Sequence, residues 1–179
     1  VYIPKRRLAR EFSDILYNLK KGEVFGPYKD IDSYKISRLL DRKKNGSIRA
    51  SHILVSFEGA TGSQPSITRT KDEAKKLAKS YLRRVRRNPS QLEVIASQLS
   101  DGPSKNSAGD LGYFQEGQMT ENLFKFANKS RVGAVGLVET EFGFHVVKIT
   151  DKQDLVLLAD VTLKILPSEN TSNEIFKKA

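Results

Sequence analysis

Ile48-Arg-Ala-Ser-His-Ile-Leu-Val-Ser-Phe57 and, late in the chain, Phe142-Gly-Phe-His-Val-Val-Lys-Ile149 are the two stretches whose reading decides the fold. Both are rich in β-branched and aromatic residues, so both predict buried strands. Each carries one of the chain's two histidines, His52 and His145, flanked by apolar residues. From periodicity alone, two histidines hydrogen-bonded inside a sheet core explain this placement.

Between these strands the pattern turns helical. Gly59 to Ser66 is a loop by composition, and Thr70 with Glu73 then forms a capping box. Ala74, Leu77, Ala78, Tyr81, Leu82 and Val85 keep helical spacing until Pro89 ends it. A second box, Ser90 with Glu93, opens a shorter helix with the stripe Leu92, Ile95, Ala96 and Leu99. Ser100 to Gly112 is a loop of turn formers returning to Tyr113-Phe114, Thr120 caps a short helix through Ala127, and Gly133 to Gly136 is a turn.

Further out, Leu8, Phe12, Ile15, Leu16 and Leu19 form one apolar stripe and predict a helix over residues 5–20, stopped at Gly22. Val24 to Pro27 reads as a turn, Tyr34 to Leu40 as a strand and the polar run Asp41 to Gly46 as a linker. Leu155 to Leu166 reads as a further strand stopped by Pro167, with a helix beginning in Ser168 to Ala179. The chain therefore divides into a helix-strand segment at 1–46, a central domain at 47–152 and an extension at 153–179.

Composition narrows the chemistry. The 179 residues include 31 Lys+Arg, 21 Asp+Glu and no cysteine, a net charge of +10. A chain of this length buries about 70% of its unfolded surface and holds one substantial core. Without cysteine there is no disulfide framework, thiolate zinc site, iron–sulfur cluster or cysteine nucleophile. No acidic or histidine cluster joins either histidine at ligand spacing, and no phosphate loop or dinucleotide fingerprint is present, so neither metal nor cofactor is expected. The positive charge sits in residues 1–46 and on the face of the 71–87 helix bearing Lys75, Lys76, Lys79, Arg83, Arg84, Arg86 and Arg87. That face could meet phosphates, which keeps nucleic-acid binding as a remote alternative. No aromatic platforms interleave with it, so a solvated face is the better reading and no nucleic-acid partner is expected. No apolar run approaches the ~20 residues of a membrane span. The chain opens at Val1 without a methionine, as expected of a piece of something longer.

The order Arg49-Ala-Ser-His-Ile-Leu-Val, Thr70-Lys-Asp-Glu-Ala, Ala96-Ser-Gln-Leu-Ser-Asp, Gly109-Asp-Leu-Gly-Tyr-Phe, Gly117-Gln-Met and Glu139-Thr-Glu-Phe-Gly-Phe-His-Val-Val-Lys-Ile resembles the parvulin family of peptidyl-prolyl cis-trans isomerases over residues 47–152. The flanks resemble the SurA- and PpiD-type envelope folding factors, especially the multi-domain forms of Bacteroidetes-like bacteria. The resemblance implies an α+β fold, a four-stranded antiparallel sheet wrapped by helices, with strands near 48–56, 111–114, 136–140 and 143–150. A small N-terminal helix-strand lobe and a C-terminal strand extension complete it.

It also implies a function: cofactor-free, non-covalent rotation of X–Pro bonds in unfolded or newly exported proteins, in the periplasm or cell envelope of a Gram-negative bacterium. Unfolded or proline-containing polypeptides are the implied partners. The parent protein is then membrane-anchored, while this fragment makes no direct membrane contact. By matching position, the proline pocket comprises Leu111, Met119 and Leu123, with Phe142 and Phe144 on its far wall. His52 and His145 face each other across adjacent strands, with Thr140 in the same polar network. Gly102 stands where the family places cysteine or aspartate, and Leu123 where it usually has phenylalanine. Asp101 beside Gly102 either takes over that role or activity is reduced. The second reading is therefore a catalytically weak or inactive module that binds extended peptides. The loop Ser56-Phe57-Glu58-Gly59 offers a carboxylate where a phosphate-directed isomerase needs paired basic residues.

Overall fold

A computed structural model describes residues 1–166. In chain order its elements are β1 (Ile3–Pro4), α1 (Ser13–Asn18), β2 (Val24–Asp30), β3 (Ser33–Val55), α2 (Lys71–Arg87), α3 (Gln91–Leu99), β4 (Asp110–Phe114), α4 (Glu121–Lys129), β5 (Val135–Thr140) and β6 (Gly143–Lys164). They divide into two compact units: Asn45–Gln153, and Val1–Lys44 with the stretch beginning at Asp154. The division falls inside β3 and β6.

In the unit Asn45–Gln153, β3 lies between β4 and β6, and β5 pairs antiparallel with the start of β6, from Val135 opposite Lys148 to Thr140 opposite Gly143. Strand side chains alternate between faces, and this alternation sorts the domain into two cores. Ile53, Val55, Phe144 and Val146 pack with Ala74, Ala78, Tyr81 and Val85 of α2 and Leu92, Ile95 and Ala96 of α3. Ile48, Ala50, Val147 and Ile149 pack on the other face with Leu123 and Ala127 of α4. His52 and His145 belong to this second face, by register with Ala50 and Val147.

The Thr70–Glu73 box forms in full, each side chain bonding the other's backbone N–H. The second expected box does not. Ser90 already has helical dihedrals, whereas a capping residue needs an extended backbone for its oxygen to reach the third N–H. Its hydroxyl donates to Asn88 Oδ1 at 2.8 Å instead.

The unit Val1–Lys44 with Asp154 onward differs more from the sequence reading. The helix expected over 5–20 is two short 3-10 turns, Lys5–Arg7 and Arg10–Phe12, followed by the six residues of α1. Leu8 is extended and Ala9 is non-helical between the turns, and none of the three starts has a side-chain cap. Helices this short depend on packing rather than propensity. Leu8, Leu16 and Leu19 nevertheless reach one core with Tyr28, Leu39 and Val156. Val24 to Pro27 is strand rather than turn, and Asp41 to Gly46 is strand rather than linker, continuous with β3. Its polar side chains have local partners: Asp41 accepts from Tyr2 at 2.5 Å and Lys21 at 3.2 Å, and Arg42 donates to the carbonyls of Tyr17 and Leu19. The strand expected at 155–166 is the continuation of β6, ending at Lys164. It pairs with β1, Ile3 opposite Val156, which joins segments that the three-part division of the sequence keeps apart. The stop at Pro167 and the helix expected over 168–179 lie outside the described residues. Among the described residues no helix is long and apolar enough to cross a membrane.

Candidate active site

On the α4 face of the sheet, a cavity of about 240 Å3 is lined by His52 and Leu54 of β3, Leu111 of β4, Met119, Thr120 and Leu123 at and before the start of α4, Phe142, His145 and Pro103. Its walls are almost wholly apolar, and its polar floor is the histidine pair. The rings of His52 and His145 lie nearly parallel with centroids 5.1 Å apart, and their Nδ1 atoms are 2.9 Å apart. His145 Nε2 meets Thr140 Oγ1 at 2.7 Å, and His52 Nε2 meets Ser104 Oγ at 2.8 Å. Four side chains therefore form one hydrogen-bonded line.

Burial fixes the sense of that line. Thr140 Oγ1 already accepts from the Phe142 N–H at 3.2 Å. If its proton goes to His145 Nε2, His145 donates through Nδ1 to His52 Nδ1, and His52 donates through Nε2 to Ser104. The unshared proton then sits on half-buried Ser104. The reverse sense strands a proton on buried Thr140, which is the costlier end. Burial pushes the His52 pKa down to about 3, with the neighbouring His145 adding to the effect, and burial alone pushes His145 down to about 4. Both rings are therefore held neutral near pH 7.

Ser104 was not singled out in the sequence, where it is one of several turn formers in a loop. Replacing it with Ala leaves the His52 Nε2–H without its acceptor in a buried site, and should destabilise the domain by about 1–3 kcal/mol. Ser104→Thr should keep most of the stability, as a denaturant midpoint series would show. Leu54 was legible: two residues from His52 in a strand, it shares that residue's face.

Other expected positions move. Phe144 is not on the far wall. It neighbours His145 in β6, so it faces the opposite side, where it packs with Phe57 in the α2–α3 core at 1% exposed. Asp101 is outside the histidine line. Its backbone N–H bonds Leu54 O at 2.9 Å, which sets its carboxylate further along β3, where it accepts from Ser56 N at 2.9 Å and pairs with Arg69. Gly102 borders a second, more polar pocket of about 430 Å3 that shares Pro103 with the first. A Cβ at Gly102 would lie 3.3 Å from Leu54 Cβ and 3.7 Å from His52 Nε2. The residue type there thus sets how closely this loop approaches the cavity wall. Among the described residues no three His, Asp or Glu groups are placed to hold a metal.

A family model described as the PPIC-type PPIase domain matches residues 34–153. The foldase protein PrsA 2 of Bacillus anthracis is 34% identical over 135 residues, covering 73% of this chain and 41% of that protein. The chaperone SurA of Colwellia psychrerythraea is 26% identical over 173 residues, 92% of this chain and 36% of that protein. The chain thus spans roughly two-fifths of the length of these relatives. Among solved structures, the peptidyl-prolyl isomerase Ess1 from Candida albicans superposes with a TM-score of 0.57 at 31% identity, covering 60% of this chain and 64% of that one. With the mixed antiparallel fold and the histidine-floored cavity, the matched domain makes this chain a member of the PPIC-type, or parvulin, family of peptidyl-prolyl cis-trans isomerases.

Proposed function

We propose that this chain lowers the rotation barrier of X–Pro bonds in unfolded polypeptides by binding proline in the 240 Å3 cavity over the neutral histidine pair. The observation that carries this reading is the conjunction of an apolar cavity with a buried, hydrogen-bonded histidine pair as its floor. The amide barrier, about 18–20 kcal/mol, comes from C–N resonance. Twisting the bond removes that resonance and with it part of the carbonyl dipole. A site that withholds water disfavours the planar, more polar amide relative to the twisted one, and so binds the transition state better. Leu111, Met119, Leu123 and Phe142 would grip the ring, and the line from Thr140 to Ser104 would hold the floor rigid. No nucleophile, metal or cofactor enters such a step.

A second reading keeps the cleft and drops the catalysis. Gly102 and Leu123, which depart from the family's usual residues, favour it. Refolding of a protein limited by proline isomerisation separates the two. An isomerase speeds the slow phase at substoichiometric amounts; a holding chaperone raises yield only near equimolar amounts and leaves the rate unchanged.

We further propose that the parent works outside the cytoplasm, in the cell envelope, with the periplasm of a Gram-negative bacterium as the finer form of this reading. Relatives named as foldase and chaperone support the envelope assignment, and they come from Bacillus as well as Colwellia. A chain without cysteine suits an oxidising compartment.

Substrate choice before the proline follows from the polar pocket beside the cavity. The charge of Asp101 is matched by Arg69, leaving Gln64, Ser66 and Asn106 with Lys105 as its polar lining. Among the described residues lining this pocket, no pair of cations awaits a phosphate. Peptides with Glu, Leu or phosphoserine before proline should be turned over within about three-fold of one another, a spread below 1 kcal/mol. A strong phosphoserine preference would show this assignment wrong.

A further inference from the structure

We infer that the substrate groove continues past Met119 into a second pocket on α4, which takes a large apolar side chain flanking the proline. This rests on the isomerase reading above and extends it. Met119 lines both the 240 Å3 cavity and a neighbouring pocket of about 340 Å3. The two are separated by one flexible thioether side chain, which adapts readily to what lies on either side. Along α4 the assignments interleave: Leu123 faces the first cavity, and Phe124 with Lys125 and Lys129 lines the second. An extended chain rising ~3.3 Å per residue crosses such a wall within one or two residues. A polypeptide seated with proline in the first cavity therefore brings a neighbouring side chain over the second.

The lining determines the class of that side chain. Met119 and the half-buried Phe124 supply the apolar floor, and Phe124 packs at the edge of the core beneath it. At the rim, Lys125 pairs with Glu121 at 2.5 Å, while Lys129 has no partner among the described residues. Glu116 and Glu121 balance Lys125 and Lys129 around the rim, so the apolar floor sets the class: the pocket should accept Phe or Leu, and a Lys or Arg side chain gains nothing from bringing its charge there. Phe124, Lys125 and Lys129 do not line the cavity over the histidine pair.

The test uses the whole chain with proline peptides carrying Gly, Phe or Lys at each position within two residues of the proline other than the one immediately before it, with turnover read by exchange NMR. At one position Phe should lower KM roughly five-fold relative to Gly with kcat little changed. Phe124→Ala should erase that advantage while leaving turnover of the Gly peptide intact, and the Lys peptide should show no comparable advantage over Gly. Amide shifts on the unmutated chain give a readout independent of any variant's folding: the Phe peptide should move Phe124 and Asn128, the Gly peptide only residues of the proline cavity. No Phe advantage at any position, or one that survives Phe124→Ala without shifts at Phe124 and Asn128, overturns the subsite, as does absence of all peptide binding. Binding with those shifts but without turnover sinks the isomerase reading alone and leaves the subsite standing.

Discussion

Between about pH 6.5 and pH 4.5, the free energy of unfolding of this chain should fall by something on the order of 4 kcal/mol, most of it owed to His52 and His145. Both are held neutral in the fold, at about 3 and about 4 against an ordinary 6.5. In the unfolded chain they take up protons once the pH drops below 6.5, while the folded chain does not. Protonation therefore favours the unfolded state across that window. The contribution of the pair is complete above pH 6.5 and lost progressively as the pH approaches the folded values. Carboxylates contribute lower down: hydrogen bonds from Arg49 to Asp110 and from Tyr113 to Asp151 hold these groups below their ordinary value of 3.8. Their stabilisation disappears only beneath the histidine window. Denaturant midpoints at half-unit pH steps check the expectation, with His145→Gln reducing the slope. A stability that stays flat from pH 7 to pH 4.5 would contradict a buried neutral pair.

The second large effect is expected at Gly109. It has a positive φ of +86°, and a Cβ there would lie 2.4 Å from the His52 carbonyl oxygen and 2.8 Å from Ala96 Cβ. Backbone, not a flexible side chain, is in the way. Its carbonyl accepts from His52 N–H and its N–H donates to the Ser104 carbonyl, both at 2.8 Å. This one residue therefore fastens the loop carrying Ser104 to the strand carrying His52. Gly109→Ala adds a left-handed backbone cost to an unavoidable clash, and should destabilise the domain by ~3 kcal/mol or more. Gly112 is the control. It also has a positive φ, +65°, but nothing lies within 4 Å of a Cβ there. Gly112→Ala should cost only about 1 kcal/mol. Equal losses at the two positions would mean that the close approach at Gly109 carries no weight.

These two sites show how much of the fold and of the candidate site was legible in the residues. Local patterns carried the central domain well. The Thr70–Glu73 box and the Ala74–Val85 stripe fold as read, because a helix with a cap and a full apolar face needs little from distant parts of the chain. The 1–46 segment was less legible. Its apolar residues do reach a core, but Leu16 and Leu39 are buried there with Tyr28 of the β2–β3 hairpin and with Val156, which pairs with Ile3 across most of the chain. Apolar spacing cannot distinguish that arrangement from one long helix. Within the site, period-two alternation alone was enough to separate Phe144 from His145 and to add Leu54 beside His52. Ser104 had no such signal: its role depends on a 3-10 turn, Pro103–Ser107, closing back through the left-handed Ala108 and Gly109.

The most direct test of the central claim is the cis–trans exchange rate of an unphosphorylated X–Pro peptide, measured by exchange NMR without a coupled protease. The free peptide interconverts over tens to hundreds of seconds at 25 °C. Catalytic amounts of this chain should accelerate exchange by orders of magnitude. Met119→Ala, which opens the proline cavity, should cut kcat/KM by about ten-fold, equivalent to ~1.4 kcal/mol of lost transition-state binding. Exchange that stays at the uncatalysed rate while the peptide demonstrably binds would contradict the account and leave a peptide-holding module in its place.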